Sequence, residues 1–199
     1  LFDRTGKQQR VIDNAVCYRS TPSGYTYLID DTIFINDSRF GVVDGNVACP
    51  VMDATGSFLI VARVRFGTLN SISKIDIATR TETVLEQLND GRFLFADPAI
   101  SSDNKTLAII RFPFARDAST EVWVMSTAGT NSHRVQTWPR IFGLTWLNDN
   151  VRLAGVQSVG RDGNYDDAGL FVVDTRDGSI KKIANHPVYA VSWLSAAQR

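Results

Sequence analysis

The sequence has no surplus of either charge. Its 199 residues contain 21 Lys and Arg against 21 Asp and Glu, which leaves a formal net charge of +0. A general nucleic-acid binder needs excess positive charge to displace the counterions of the phosphates, so we exclude that class. No apolar run approaches the roughly 18 residues that a membrane-spanning helix requires. We therefore expect no membrane insertion.

Residues that favour helices are also scarce. Glu and Lys occur only 3 and 5 times, although both are good helix formers. Val, Ile and Thr supply 49 residues and Asp another 18, and these types favour strands and turns. Hydrophobic residues make up 44% of the chain, enough to bury a core. The composition predicts a globular, nearly all-β protein.

Cysteine is limited to Cys17 and Cys49. The two residues either form one disulfide or remain as two unlinked thiols, and their spacing leaves both alternatives open. A disulfide would imply an oxidising compartment, periplasmic or extracellular. The absence of a Cys-x-x-Cys pair and of a neighbouring His argues against a zinc site.

A strand, turn and strand pattern recurs along the chain. It is present in three segments, 50–59, 98–107 and 144–153. Aligning Gly56, Asn104 and Asn150 at the turn gives steps of 48 and 46 residues. Each segment therefore reads as the first hairpin of a repeated unit.

A second strand and turn pattern returns in the other half of each unit, with Thr79, Thr127 and Thr175 spaced 48 residues apart. Four short strands every 40 to 50 residues are typical of β-propeller blades. Because one such sheet has two apolar faces, neighbouring sheets must cover them. Trp146 and Trp193, 47 residues apart, are predicted to be core wedges between blades.

We predict a single propeller domain over 1–199, in which each blade is a four-stranded antiparallel sheet. The predicted blades are 14–45, 46–92, 93–138 and 139–186. Terminal strands in 1–13 and 187–199 either share a fifth blade, which gives a five-bladed ring, or the chain is a fragment of a larger propeller. The first residue is Leu rather than Met, so we expect a processed or partial chain.

The segment 98–108, Pro-Ala-Ile-Ser-Ser-Asp-Asn-Lys-Thr-Leu-Ala, resembles the opening of the TolB-type propeller repeat, and 122–135 is similar to its closing half. The segment departs from the family at Ser102 and Asn104, where Pro and Gly are usual. The resemblance covers about 46–186. It implies a scaffold, because the family includes a periplasmic component of the Tol-Pal envelope system and non-catalytic propellers of serine peptidases.

Binding residues are expected on one rim, where the loops between the second and third strands converge with the loops between blades. These loops combine Arg with aromatic side chains, which suit protein partners and anionic or sugar ligands. The predicted partner-binding residues are Arg65, Phe66, Arg111, Phe112, Phe114, Arg116, Trp138, Arg140, Arg161 and Tyr165.

The same rim contains a weak calcium pattern. Asp162, Asn164 and Asp166 stand at positions one, three and five of a calcium-type loop, but position twelve is Val173 instead of a bidentate Glu. A plain Asp-rich hairpin is the alternative. No other cofactor is expected, and neither His133 nor His186 lies near a nucleophile motif, so no catalytic residue is predicted.

We expect a non-catalytic protein–protein interaction scaffold, a subunit of a larger envelope-associated assembly. Two alternatives remain: a propeller that binds a small sugar or anion at the rim or in the central channel, and the gating propeller of a larger hydrolase. The loops differ in length from blade to blade, whereas a lectin would repeat its pocket. That difference favours a protein partner.

Overall fold

The computed structural model describes residues 15–43, 46–64, 70–89, 91–114, 119–138, 141–157 and 169–184. These residues form seventeen strands in four antiparallel sheets, and within each sheet the pairing follows the order of the strands in the chain. Within these ranges, no helix is long and apolar enough to cross a membrane.

Each sheet is one blade, and its strands run from the central channel outward. Blade 1 contains β1 (Ala15–Thr21), β2 (Gly24–Ile29), β3 (Thr32–Ile35) and β4 (Ser38–Val42). Blade 2 contains β5 (Asn46–Val47), β6 (Val51–Met52), β7 (Phe58–Val64), β8 (Asn70–Asp76) and β9 (Glu82–Leu88). Blade 3 contains β10 (Phe93–Ile100), β11 (Thr106–Pro113), β12 (Thr120–Ser126) and β13 (His133–Trp138). Blade 4 contains β14 (Ile141–Trp146), β15 (Arg152–Gln157), β16 (Gly169–Asp174) and β17 (Ile180–Ala184).

The predicted all-β propeller of four-stranded antiparallel blades is confirmed. In blade 2, β5 and β6 both pair with β7, so they are two parts of one interrupted inner strand. Four blades also fit a fragment of a larger propeller. The shared fifth blade would use 1–13 and 187–199, which lie outside the described residues.

The core consists of three apolar layers, one between each pair of consecutive blades. Strand periodicity explains how one sheet serves two layers, since successive side chains point to opposite faces. On β11, Leu107 and Ile109 pack toward blade 2, while Ala108 and Ile110 pack toward blade 4. All four side chains are fully buried. The continuous apolar runs in the sequence are therefore central strands covered on both faces.

Trp146 is a core wedge, as predicted. Only 6% of the residue is exposed, and it packs in the layer between blades 3 and 4. Its indole Nε1 donates to the backbone oxygen of Ala99 at 3.0 Å, so the ring is bonded as well as packed against the preceding blade. Trp193 lies outside the described residues.

The first hairpin of each blade, here called the inner hairpin, confirms the predicted turn register. Gly56, Asn104 and Asn150 have φ values of 76°, 60° and 53°. This left-handed region favours Gly and tolerates Asn. The two asparagines therefore adopt the backbone conformation that Gly adopts in the resembled motif.

Both asparagines also bond to the preceding blade. Asn104 Oδ1 accepts the backbone N–H of Ala54 at 3.0 Å, and Asn150 Oδ1 accepts that of Ser102 at 2.9 Å. Ala54 and Ser102 hold the position where the resembled motif has Pro, which has no N–H to donate. The two departures from the motif, Ser102 and Asn104, are thus linked to this contact between blades.

Asp53 strengthens the inner hairpin of blade 2. Its buried carboxylate accepts the backbone N–H groups of Thr55, Ser57 and Phe58 at 3.0, 2.6 and 2.8 Å, and the side chain of Asn104 at 3.1 Å. Burial raises the pKa of Asp53, but the hydrogen bonds together lower it below its ordinary value. The carboxylate is therefore ionised at neutral pH as part of the hairpin.

The Ser102→Pro variant is expected to lower the free energy of unfolding by about 1–2 kcal/mol, because it removes the N–H that Asn150 accepts. Chemical denaturation monitored by tryptophan fluorescence measures the change. Ser102→Ala is the matched control, since it removes only the hydroxyl bond to Asn150, and it should cost less. If Pro stabilised the chain, the contact would have no energetic role.

One repeat register differs from the prediction. Thr127 and Thr175 each donate a hydroxyl to a backbone carbonyl of their blade's inner hairpin, at 2.8 and 2.6 Å. In blade 2 the position that follows the paired strand is Ile77, whose N–H donates to the hairpin. Thr79 instead bonds the Asp76 side chain at 2.8 Å. The constant 48-residue spacing to Thr79 is therefore coincidental, because the equivalent positions on β8 and β12, Asp76 and Ser126, are 50 residues apart.

Candidate functional site: rim and central channel

Most of the residues predicted for the rim fall outside the described residues. These are Arg65, Phe66, Arg116, Arg140, Arg161 and Tyr165, together with the calcium candidates Asp162, Asn164 and Asp166. Within the described ranges, no group of three or more His, Cys, Asp or Glu side chains could hold a metal ion. The roles of the undescribed residues stay predictions.

Arg111 does not project from the rim, contrary to expectation. It lies on β11 and is only 9% exposed. Its guanidinium forms an ion pair with Glu86 of blade 2 and lies over the Trp123 ring, with Cζ 3.5 Å from the ring centroid. β11 stays paired with β12 as far as Arg111, which lies opposite Glu121. Arg111 is therefore part of the sheet and not of the loop that follows it. Arg111 therefore connects two blades in this structure.

Trp138 is also placed in the interior instead of on an open loop. It ends β13 and is only 3% exposed. Its Nε1 donates to Gln157 Oε1 at 2.8 Å, and its ring meets Phe171 edge to face with centroids 4.8 Å apart. Both partners belong to blade 4, so Trp138 joins blade 3 to blade 4.

The rim does present aromatic side chains in its described part. Phe114 is 40% exposed and Phe142 is 38% exposed. Phe112, two residues before Phe114, packs against Phe142 with ring centroids 5.9 Å apart. We call Phe112, Phe114 and Phe142 the rim patch. It combines side chains from blades 3 and 4, where the start of β14 adjoins the end of β11.

A cavity of about 390 Å³ occupies the central channel. Its described wall comes from β1, β6, β10 and β14, the innermost strands of the four blades. Pro22, Ala54, Ser102 and Asn148 of the inner hairpins also line it. Because the inner hairpins and the rim loops leave opposite ends of the strands, the cavity opens at the end away from the rim patch. The partner-binding residues predicted from the sequence belong to the rim, at the other end.

An ion pair crosses the channel beside this cavity. Arg19 on β1 lines the cavity, and its Nη2 donates to Asp97 Oδ1 on β10 at 3.2 Å. The other oxygen, Asp97 Oδ2, accepts the backbone N–H of Gly143 on β14 at 3.1 Å. About a quarter of each charged side chain is exposed. Three blades thus meet at one carboxylate.

The backbone at Asp97 is unusual. Its φ is 44°, and the pairing of β10 with β11 shifts between Ala96 and Ala99. Such a bulge redirects a side chain. Gly143 holds the corresponding bulge of β14, with a φ of 62°. Asp97 therefore adopts a conformation for which the next blade uses Gly, and its carboxylate is directed into the channel.

Tyr18 gives the cavity an aromatic wall. It is 36% exposed, and its ring lies 5.6 Å from that of Tyr25. Burial and the negative charge of Asp37 raise the pKa of Tyr18 above its ordinary value. Its hydroxyl therefore stays protonated at neutral pH and is available as a hydrogen-bond donor.

A disulfide joins Cys17 to Cys49, with their Cα atoms 5.6 Å apart. Cys17 lies on β1, and Cys49 lies in the gap between β5 and β6. The bond therefore connects the inner strands of blades 1 and 2 beside the channel. It closes a loop across two blades, which restricts the unfolded chain.

The four blades and their shared channel define a β-propeller whose described site features are the rim patch and the cavity. The sequence matches no family model and no curated protein. Similar solved structures place it more narrowly: the fold is that of a TolB-like propeller.

The first similar structure is TolB from Acinetobacter baumannii, with 15% identity, a TM-score of 0.58, and coverage of 83% of this chain and 40% of TolB. A TolB candidate from Agrobacterium tumefaciens has 14% identity, a TM-score of 0.60, and coverage of 84% and 62%. The propeller domain of the Trilobed protease from Pyrococcus furiosus has 18% identity, a TM-score of 0.53, and coverage of 72% and 43%. The chain spans less than two thirds of each, and these identities establish the fold alone.

Proposed function

We propose that this chain is a non-catalytic scaffold that binds a partner protein through the rim patch, as a subunit of a larger envelope-associated assembly. The observation that carries the proposal is the exposure of Phe114 and Phe142 on a rim built from two blades. Aromatic residues are enriched at the centres of protein interfaces. Phe112 supports the patch from below by packing on Phe142.

Rigidity supports this role. The blades beneath the rim patch share a buried apolar layer that includes Ile110, Leu144 and Trp146. A patch held by such a layer loses little conformational freedom when a partner binds. The Cys17–Cys49 disulfide supports a periplasmic or extracellular location, because disulfides persist in oxidising compartments.

Two other functions have observations in their favour. The likeness to the propeller domain of a protease supports a gating propeller of a hydrolase, and one fold can serve several functions. The channel cavity of about 390 Å³ supports small-ligand binding, since ligand pockets usually measure roughly 300–1,000 Å³.

Site-specific crosslinking tests the rim. Benzoylphenylalanine is placed at Phe142, and at Val84 as a matched control that is 54% exposed on an outer strand. In an extract of the source cells, we expect one dominant crosslinked protein at position 142 and none of that species at 84. Equal products at both positions, or no product at 142, would contradict the proposal.

A competition experiment compares the affinities of the wild-type chain and its variants for the crosslinked partner. Unlabelled wild-type chain should suppress the crosslink at least about tenfold more effectively than the Phe114→Ser, Phe142→Ser double variant, because truncating hot-spot residues typically costs more than about 1 kcal/mol each. Val84→Ser should compete like wild type. Equal competition by the double variant would move the interface to another surface.

A further inference from the structure

We propose that the channel cavity binds a small hydroxylated carboxylate, such as a sugar acid or hydroxy acid, with Arg19 receiving the carboxylate and Asp97 positioning Arg19. The site lies at the end of the channel opposite the rim patch. It therefore does not depend on the partner-binding function proposed above.

The conformation of Asp97 is the first observation. Eight described residues other than Gly have positive φ, and among the described residues Asp97 is the only one of them within a strand. The others lie in turns, where such conformations are common. Backbone strain of this kind concentrates at binding and active sites, where surrounding contacts maintain it. Here the maintaining contacts are Arg19 and the N–H of Gly143.

Comparison with Gly143 shows what the left-handed backbone of Asp97 makes possible. The two residues occupy equivalent bulges, and Gly adopts this backbone without a steric penalty. Asp at position 97 adds one feature that Gly lacks, a carboxylate that bonds Arg19 across the channel. The same carboxylate also accepts the N–H of Gly143, so it joins three blades. Its bond to Arg19 holds the guanidinium at the cavity wall.

The charged residue in the cavity wall indicates which kind of ligand the cavity can bind. Arg19 is the only charged residue among the described lining residues. A guanidinium has five N–H donors, and the bond to Asp97 uses Nη2. A fork of donors that faces a cavity suits a carboxylate, which binds two parallel N–H groups.

The remaining polar groups suit hydroxyls. Tyr18, Ser20, Thr21 and Thr145, which carry hydroxyl groups, are among the lining residues. Each can donate and accept, as sugar hydroxyls require. Tyr18 adds an aromatic face, and a cavity of about 390 Å³ accommodates a ligand of monosaccharide size. A hydroxylated acid uses both kinds of group.

Calorimetric titration of the 199-residue chain tests the site. The probes are glucuronate, gluconate and lactate, with glucose as the neutral match for glucuronate. We expect at least one acid to bind, and glucose to bind at least about tenfold more weakly, the loss expected when a charge-assisted hydrogen bond is removed. Absence of binding by all three acids at about 10 mM, a concentration far above typical pocket affinities, would overturn the proposal.

Three variants assign the roles. Arg19→Gln and Asp97→Gly should each weaken the bound acid at least about tenfold, because one removes the guanidinium and the other its positioning contact. Asp97→Gly relieves the backbone strain but loses the bonds to Arg19 and Gly143. Its melting temperature should therefore stay close to that of the wild type, which separates lost binding from lost folding. Arg176→Gln, on a turn with a 73% exposed side chain, should bind like wild type. Unchanged affinity in Arg19→Gln would overturn the assignment.

A peptide terminus presents the same carboxylate. A tripeptide with a free C-terminus and its amidated form are therefore titrated in parallel. If the free peptide bound tenfold more tightly than every small acid and the amide did not bind, the site would serve a peptide and the proposal of a small acid would be wrong. Comparable or weaker peptide binding would support the small acid.

Discussion

Replacing Trp146 with alanine is expected to lower the free energy of unfolding by about 3–5 kcal/mol, the range for removing a large buried aromatic side chain. The residue is 6% exposed in the layer between blades 3 and 4. Alanine leaves a cavity there and also removes the Nε1 bond to Ala99. Urea denaturation followed by circular dichroism measures the change, since it does not depend on tryptophan emission.

Two controls separate packing from hydrogen bonding. Trp146→Phe keeps an aromatic ring but removes the N–H donor, and we expect a smaller loss of about 1–2 kcal/mol. Val84→Ala removes an exposed side chain on β9 and should change the free energy by less than about 0.5 kcal/mol. A Trp146→Ala loss as small as that of Val84→Ala would contradict the assignment of Trp146 as a wedge.

The propeller could be predicted because each repeat has turn residues and buried residues at regular positions in the sequence. A hairpin that turns through Gly56, Asn104 or Asn150 requires a left-handed residue, and only a few residue types tolerate that backbone. Trp146 occupies its position because the layer between blades 3 and 4 needs a bulky side chain. The residue types that the turns and the buried layers require therefore recur at a nearly fixed interval, and this recurrence is visible in the sequence.

Side-chain destinations were harder to predict than blades. The sequence predicts Arg111 and Trp138 on the rim because it assigns Arg111 to a loop between the second and third strands and Trp138 to a loop between blades. The strands extend far enough to place both residues between blades, where Glu86 and Gln157 supply polar partners. A buried Arg or Trp with a partner from another blade has the same local sequence as an exposed one, so only the assembled structure distinguishes them.

The residues of the channel site could not be predicted, for a related reason. Arg19 and Asp97 are 78 residues apart, and neither belongs to a recognisable motif. One signal was present in the repeat: Asp97 aligns with Gly143 when Asn104 is aligned with Asn150. Alignment with Gly143 indicates a left-handed backbone at Asp97, which Asp adopts less readily than Gly.

Replacing Arg111 with alanine is expected to lower the free energy of unfolding by about 2–4 kcal/mol, because removing one member of a buried ion pair leaves the other charge poorly compensated. The partner Glu86 has a side chain only 21% exposed. Alanine also removes the guanidinium from the face of Trp123, a contact worth about 0.5–2 kcal/mol. Thermal and urea denaturation measure the loss.

A double-mutant cycle with Glu86→Gln isolates the pair. We expect a coupling of about 0.5–3 kcal/mol between Arg111 and Glu86, the range for residues in direct contact. Additive losses would show that the ion pair contributes nothing beyond packing. Arg134→Ala is the matched control, because Arg134 also pairs with a Glu but its side chain is 54% exposed, and exposed pairs contribute little.

Replacing both members of the ion pair with apolar residues tests whether charge is needed between these blades. Arg111 Nε is buried and finds no hydrogen-bond partner in the part of the chain that the structure describes, so the ion pair leaves one donor uncompensated. Replacing the pair with Arg111→Met and Glu86→Leu should therefore recover most of the stability lost in Arg111→Ala, as apolar replacements of buried pairs often do. Full recovery, with unchanged crosslinking at the rim patch, would identify Arg111 as a residue of the scaffold. Lost crosslinking in a fully stable double variant would instead return Arg111 to the partner-binding surface.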